Sequence, residues 1–212
     1  MPEKILAYAL TTLERVKDRM TLSESGFDTL LSREINAVTD FIESQTGQRF
    51  KETTYTNELY SIEQSGQKYL VLKHAPVASV TSIAYGVGTP SSKGWTTYGA
   101  DDYELVDDGK SGLVRMHAGL PCGTNTVRAT YVAGYKIAWG ATGDAGDATP
   151  THKLPADLTD LAERLVIRWF KRREAVGKSQ EGFESGNVTY KDLLDSEDIE
   201  TINRYKRMPI FV

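Results

Sequence analysis

The sequence predicts an α+β protein in which helices from the two ends of the chain form a helical bundle and a small antiparallel β-unit is inserted between them. Amphipathic helical stripes occur before residue 50 and after residue 154. Stretches of β-branched and aromatic residues, separated by turn signals, fill the middle of the chain. With 212 residues, 40% of them hydrophobic, the chain is long enough to bury a core without disulfides.

Two helices are predicted in the first fifty residues. Thr11 as the cap and Glu14 three residues later fit a capping box. Apolar residues then recur at helical spacing: Leu13, Val16 and Met20. A second helix is predicted to end at Gly47, a residue suited to a left-handed C-cap. Its apolar stripe consists of Phe27, Leu30, Leu31, Ile35, Val38, Phe41 and Ile42.

The β-unit is predicted over residues 50–135. Pro76 suits the first position of a strand, and the stretch behind it alternates apolar with small polar residues as far as Ile83. The sequence around Gly86 and Gly88 contains GxG but no complete phosphate-loop motif, so a turn between strands is expected there. Residues 107–111 (DDGKS) predict a hairpin-like turn. Strands are expected near 68–73, 76–83, 103–106, 112–116 and 126–133.

The last third of the chain predicts two more helices. Residues 136–153, rich in Gly, Ala, Thr and Asp, predict a long flexible loop. A strong amphipathic helix opens at residues 154–157 (LPAD) and ends near Gly177, and a polar loop is expected over 178–189. A final helix is predicted from about Tyr190 to Tyr205. The expected domains are therefore 1–49 with 154–212 as the helical core, 50–135 as the inserted β-unit and 136–153 as the loop.

Composition excludes several classes of protein. The formal charge is −4, so no global basic field attracts nucleic acid. The single cysteine, Cys122, excludes an intramolecular disulfide and a zinc site built from several cysteines. No apolar run reaches the roughly 18 residues of a membrane span. His74, His117 and His152 share no metal-ligand spacing, so neither a metal nor a cofactor is expected.

Carboxylates are dense between Asp101 and Asp108. Paired carboxylates can serve acid–base chemistry or hold a hard cation, but solvation of turns and strand edges explains the same pattern more simply. The residues concerned are Asp101, Asp102, Glu104, Asp107 and Asp108.

Residues 168–174 (RWFKRRE) place a basic cluster beside two aromatic residues. Such interleaving can bind nucleic acid. The alternative is an amphipathic helix in which Trp169 and Phe170 enter the core while the cations face solvent, and the apolar stripe that precedes them favours this interpretation.

The C-terminal tail, residues 208–212 (MPIFV), is apolar and follows a basic stretch, residues 204–207. Chain termini fray unless something holds them. The tail therefore either packs on its own domain or inserts into a partner.

Short motifs follow one another along nearly the whole chain. They are TLERVK at 12–17, the pattern at 27–35, TGQRF at 46–50, LVL at 70–72 with PV at 76–77, Val80 and Ile83, DY at 102–103, VAGY at 132–135, LP at 154–155 with Trp169, RRE at 172–174 and Gly177, and Tyr205 with Arg207. In this order they resemble the head–tail connector (adaptor) proteins of tailed bacteriophages and gene transfer agents.

The resemblance implies viral assembly rather than catalysis: a virion neck protein, assembled in the host cytoplasm, that forms a homo-oligomeric ring, commonly a dodecamer. The ring docks on the portal, carries the next neck or tail component (a stopper or tail terminator), and lets DNA pass through its lumen during DNA packaging and delivery. We expect the basic, apolar C-terminal segment to contact the portal. Its contact residues are expected to be Arg204, Lys206, Arg207, Met208, Ile210, Phe211 and Val212.

Two alternatives remain open. One is an enzyme that acts on a phage or host polymer through the carboxylates between Asp101 and Asp108. The other is a soluble DNA-binding module that uses the cations between Arg168 and Arg173, which the negative net charge disfavours.

Overall fold

A computed structural model gives the fold of the chain. It describes residues 4–89, 92–137, 139, 152–172, 180–183, 186–189 and 194–206. Within these residues the chain has four α-helices and two larger antiparallel sheets, so the predicted α+β class is confirmed. It divides into two compact units. The second unit consists of residues 49–89, 92–136 and 152–153, and the first unit consists of the remaining described residues.

The helices and the β-unit follow the order expected from the sequence, with one further hairpin between the last two helices. In chain order they are α1 (Leu13–Met20), α2 (Asp28–Thr46), β1 (Thr53–Ile62), β2 (Gln67–Val71), β3 (Val77–Thr89), β4 (Ser92–Thr97), β5 (Tyr103–Leu105), β6 (Leu113–Leu120), β7 (Gly123–Ala133), α3 (Ala156–Arg172), β8 (Gln180–Phe183), β9 (Gly186–Thr189) and α4 (Ser196–Tyr205).

The first unit contains α1 to α4, and its core lies between α2 and α3. These two long helices bury the apolar stripes that the sequence predicts. The rings of Phe27 and Phe170 pack in a T-shaped arrangement with their centroids 5.3 Å apart. The rings of Phe41 and Trp169 pack in the same way with their centroids 5.5 Å apart. The fully buried aliphatic side chains of the two helices are Leu31, Ile35, Ile42, Leu158, Leu161, Leu165 and Val166.

The start of α1 lies one residue later than the capping box predicted. Thr12 has the extended backbone of an N-cap, and its hydroxyl accepts from the amide of Arg15. Thr11 is instead fully buried, and its hydroxyl donates to Glu163 at 3.3 Å. The capping prediction was wrong because this long-range bond orients Thr11 away from the helix end. The end of α2 is as predicted, with Gly47 at φ 66° and its amide bonded to Glu43.

Two predictions after residue 172 were also wrong. A β8–β9 hairpin stands where residues 178–189 predict a loop, since Gln180 pairs with Thr189 and Phe183 with Gly186. The last helix begins at Ser196 rather than near Tyr190, because Asp195 caps it by accepting from the amide of Asp198 at 3.0 Å. Gly177, the predicted end of α3, lies outside the described residues.

The second unit contains two antiparallel sheets that share one hydrophobic core. The strand orders are β1–β7–β3–β4 and β2–β6–β5. Tyr131 and Ile83 of the first sheet and Val114 and Met116 of the second are fully buried in that core. Strands β5 and β6 flank the turn predicted over residues 107–111, so that prediction is confirmed.

The turn predicted at Gly86 and Gly88 was wrong. Both glycines lie within β3, where Gly86 pairs with Trp95 and Gly88 with Lys93. A Cβ atom on Gly86 would come within 3.2 Å of the Trp95 ring, and one on Gly88 within 2.4 Å of the Ser92 carbonyl oxygen. The glycines therefore serve close packing across the hairpin rather than chain reversal.

The two ends of the β-unit lie side by side. The amide of Glu52 donates to the carbonyl of Tyr135 at 2.8 Å, and the amide of Tyr135 donates to that of Phe50 at 2.6 Å. The amide of Lys136 also donates to the carbonyl of His152 at 3.1 Å. Most of the loop predicted over residues 136–153 lies outside the described residues.

Candidate interaction site at the C-terminal helix

Helix α4 carries the described part of the predicted portal-contact segment, and polar groups attach it to α3. Ile202 is its one buried aliphatic side chain among the described residues, and Ile199 is 47% exposed. The other contacts described below are ion pairs between α4 and α3, which run antiparallel, at both ends of the two helices.

The first cluster joins the start of α4 to the second half of α3. Asp198 is fully buried and accepts from Arg168, whose second guanidinium nitrogen lies 2.8 Å from Asp195. Arg164 contacts the other oxygen of Asp198 at 3.4 Å and Glu197 at 2.9 Å. Two guanidinium groups therefore face three carboxylates, an arrangement in which the buried charge of Asp198 is compensated.

The second cluster joins the opposite ends of the same helices. Asp157, in the first turn of α3, accepts from Arg204 at 3.0 Å and from the phenol of Tyr205 at 2.7 Å. The carbonyl of Tyr205 accepts from the side-chain amide of Gln48 at 2.8 Å. An acidic group at a helix N-terminus and a basic group at a C-terminus both match the helix dipoles.

The electrostatics of the first cluster follow from these partners. Burial lowers the pKa of Arg168, but the hydrogen bond and charge of Asp198 and the charge of Asp195 outweigh it, so the pKa is raised. The pKa of Asp195 is lowered, first by the backbone amide of Asp198 and then by the charge of Arg168. Arg168 and Asp195 are therefore both ionised at neutral pH.

Of the predicted portal-contact residues, Arg204 and Lys206 are described. Arg204 is 58% exposed at its side chain while it pairs with Asp157, and Lys206 is exposed beyond the end of α4. The rest, Arg207, Met208, Ile210, Phe211 and Val212, lie outside the described residues. The prediction for them is untested.

The basic and aromatic run on α3 is used inside the helical unit. Phe170 is buried against Phe27, and Trp169 packs against Phe41. Arg168 is engaged by two carboxylates of the α4 cluster. The amphipathic-helix interpretation is confirmed for Trp169 and Phe170, but it was wrong for Arg168, which pairs within the unit instead of facing solvent. Arg173 and Glu174 lie outside the described part.

The carboxylates between Asp101 and Asp108 hold turns and an exposed ion pair. Asp102 accepts from the amide of Gly99 at 2.6 Å. Glu104 lies 3.1 Å from Arg115, with both side chains more than half exposed. Asp107 and Asp108 occupy left-handed backbone positions at φ 52°. These contacts account for the acidic density through local structure.

The three histidines lie apart within the β-unit. His74 stacks on Tyr55 with ring centroids 3.7 Å apart. Nδ1 of His117 lies 2.9 Å from the carbonyl oxygen of Asp101, and the buried His152 donates from Nε2 to Val77 at 3.0 Å. Cys122 is exposed. Within the described part of the chain, no group of three or more His, Cys, Asp or Glu side chains is placed to hold a metal ion.

Sequence reasoning missed the carboxylates that organise both units. Asp195 and Asp198 appeared only as polar residues of a helix, and the one available signal was the capping box that they form. Glu58 had no signal beyond its place two residues before Tyr60. In the structure it is the centre of a partly buried hydrogen-bond cluster.

No helix in the described residues is long and apolar enough to cross a membrane. Comparison with family models and with curated proteins finds no match. Solved structures do match, and those that follow come from one kind of particle.

In particular, the chain is similar to chains in three structures of gene transfer agent (GTA) particles. For the neck of an empty particle computed with C6 symmetry, identity is 19%, coverage is 99% of this chain and 95% of that chain, and the TM-score is 0.52. For the neck of a native particle computed with C12 symmetry, identity is 19%, coverage is 99% of this chain and 94% of that chain, and the TM-score is 0.55. For the native virion, identity is 19%, coverage is 99% of this chain and 95% of that chain, and the TM-score is 0.50.

These likenesses show a shared fold along nearly the whole chain. The resemblance to head–tail connector proteins seen in the sequence is therefore confirmed at the level of the fold. It rests on the order and packing of elements, since four in five aligned residues differ.

Proposed function

We propose that this chain is a structural subunit of a virion neck, at the interface between head and tail, and not an enzyme. The observation that supports the proposal is the match of fold over 99% of this chain to chains in GTA necks. The match covers both units, which supports this proposal for the whole chain rather than for one module.

The subunit is proposed to form a homo-oligomeric ring of twelve copies. The C6 and C12 symmetries of the two similar necks support a cyclic assembly of this kind. Residues 1–49 and 154–212 are proposed to act as the ring-forming helical bundle, with 50–135 as the inserted β-unit. DNA is proposed to pass through the ring without being held, in keeping with a net charge of −4 on the chain.

The ring is proposed to dock on the portal and to present its other side to a stopper or tail terminator. The C-terminal segment is the proposed portal contact. In the described part, Arg204 and Lys206 place positive charge at the end of α4, immediately before the apolar residues 208–212. Basic side chains would meet an acidic portal surface, and Ile210 and Phe211 would fill apolar pockets as anchors.

The test is mass measurement and electron microscopy of the purified chain with and without portal-bearing heads. We expect rings of twelve copies on the portal vertex. A chain that stays monomeric and leaves the portal vertex bare under the same conditions contradicts the proposal. Heads with a deleted portal serve as the control, because they should capture no rings.

A further inference from the structure

Glu58 lies at the centre of a hydrogen-bond cluster inside the β-unit. Its side chain is 19% exposed. One carboxylate oxygen, Oε2, accepts from the phenol of Tyr60 at 2.5 Å and from the phenol of Tyr131 at 2.6 Å. Tyr60 neighbours Glu58 on β1, whereas Tyr131 comes from β7, so the carboxylate joins two paired strands through their side chains.

The two phenol oxygens also hold the backbone of a connecting segment. The amide of Lys73 donates to Tyr60 at 3.1 Å, and the amide of His74 donates to Tyr131 at 3.2 Å. Residues 73–76, here called the crossover segment, link β2 of one sheet to β3 of the other. Neither amide belongs to a strand ladder, so these bonds satisfy backbone groups that the sheets do not.

A phenol has a single proton to donate. The two phenol oxygens also lie 3.2 Å apart, but the much shorter contacts run to Glu58. Glu58 therefore takes the protons of both phenols, and each phenol oxygen accepts from the crossover segment. We propose that Glu58 is a positioning residue that latches the crossover segment, and thereby the two sheets, by directing the phenols of Tyr60 and Tyr131 to accept from Lys73 and His74.

The other carboxylate oxygen is closed off by the same segment. Oε1 lies 3.5 Å from Nε2 of His74 and 4.0 Å from Nζ of Lys73. Lys73 also donates to the carbonyl of Leu59 at 2.8 Å, and Tyr55 stacks on the His74 ring. The charged and titratable groups around Glu58 are therefore Tyr55 and Tyr60 of β1, Tyr131 of β7, and Lys73 and His74 of the crossover segment.

The titration of the cluster agrees with this geometry. Burial raises the pKa of Glu58, but the hydrogen bonds from Tyr131 and Tyr60 and the charges of Lys73 and His74 outweigh it, so the pKa is lowered. Burial and the bond to Glu58 raise the pKa of both tyrosines. A lowered carboxyl pKa adds stability above the usual carboxyl range, and that stability is lost as the pH falls through the lowered value. At neutral pH Glu58 is therefore ionised and accepts from both phenols, so the crossover segment is held in place.

The experiment measures amide hydrogen exchange of the full chain by NMR. In Glu58→Leu we expect the protection factors of the Lys73 and His74 amides to fall at least about tenfold, since no carboxylate then directs the accepting phenols of Tyr60 and Tyr131. Amides in the centre of β7 should keep their protection. Glu58→Gln retains one acceptor oxygen and should lie between wild type and Glu58→Leu.

Two further variants separate the latch from general destabilisation. Tyr60→Phe should expose the Lys73 amide alone, and Tyr131→Phe the His74 amide alone. Glu104→Gln, which removes an exposed carboxylate of β5, should change neither. The proposal is overturned if both amides keep wild-type protection in Glu58→Leu, or if all variants that fold lose protection evenly across the β-unit.

Discussion

At the scale of single residues, Glu163 is a nearly buried carboxylate of the helical unit that accepts hydrogen bonds from three other residues. Its side chain is 9% exposed. It accepts from the hydroxyl of Thr11 at 3.3 Å, from Nε of Arg15 at 2.8 Å and from Arg19 at 3.1 Å. One carboxylate of α3 thereby fixes the segment before α1 and α1 itself. Helix α1 is short and fully buries only Val16, so it depends on this anchor.

Glu163→Gln should lower the free energy of unfolding by about 1–2 kcal/mol, because a charged acceptor of a partly buried arginine pair becomes neutral. Chemical denaturation measures the effect. The matched control is Glu197→Gln, in which the lost carboxylate also pairs with an arginine but is 72% exposed. Its cost should stay below about 0.5 kcal/mol. Equal costs for the two variants would contradict the role given to Glu163.

Residue roles could be predicted from the sequence only where the cause is local. Gly47 was predicted as a C-cap, because a left-handed residue after an apolar stripe is a local requirement. Glu163 and Thr11 are 152 residues apart, and Glu58 and Tyr131 are 73 apart. A single sequence contains no sign of such pairings, so these carboxylates looked like ordinary solvated charges.

At the scale of elements, α4 is held more by charge than by apolar packing. Arg168 binds Asp195 and Asp198 at its start, and Asp157 binds Arg204 at its end. The buried face of α4 is accordingly mostly polar, with Asp198 and Thr201 beside Ile202. Ion pairs with arginine give direction and register, which a single isoleucine does not.

Arg168→Gln should lower the protection of the α4 amides by about tenfold or more, since a hydrogen bond to a charged group contributes about 1.5–3 kcal/mol. Hydrogen exchange with mass-spectrometric readout follows the peptide that covers Ser196–Tyr205. Protection in α2 should remain at its wild-type level. Arg115→Gln, which removes an arginine of an exposed pair in β6, is the control and should leave α4 unchanged. If α4 is as protected in Arg168→Gln as in the control, the ion pairs do not hold it.

The elements themselves were predictable where periodicity is strong. The stripes of α2 and α3 are long, and the alternating run behind Pro76 predicted the start of β3. The prediction ended β3 too early because Gly86 and Gly88 read as turn residues, while their actual role is to admit the Trp95 ring and the Ser92 carbonyl. The β8–β9 hairpin was missed because its strands have four residues each and little apolar character.

At the scale of the whole molecule, the proposed ring depends on the tail for attachment to the portal. Removal of residues 208–212 should weaken binding to portal-bearing heads at least tenfold, because apolar anchors dominate interfaces of this type. Sedimentation with heads measures it, and an unchanged melting temperature shows that the fold is intact. Lys206→Gln with Arg207→Gln tests the charged part separately.

Unchanged binding by the truncated chain would contradict the proposal that residues 208–212 contact the portal. It would leave the ring proposal standing, provided that the full chain still forms rings on the portal. The two results are therefore distinguishable within one experiment.

The pairing of Phe50 and Glu52 with Tyr135 has a further consequence. These hydrogen bonds hold the start and the end of the β-unit together at one junction. A foreign domain whose own termini lie close together could be grafted at this junction, as domain insertions generally require.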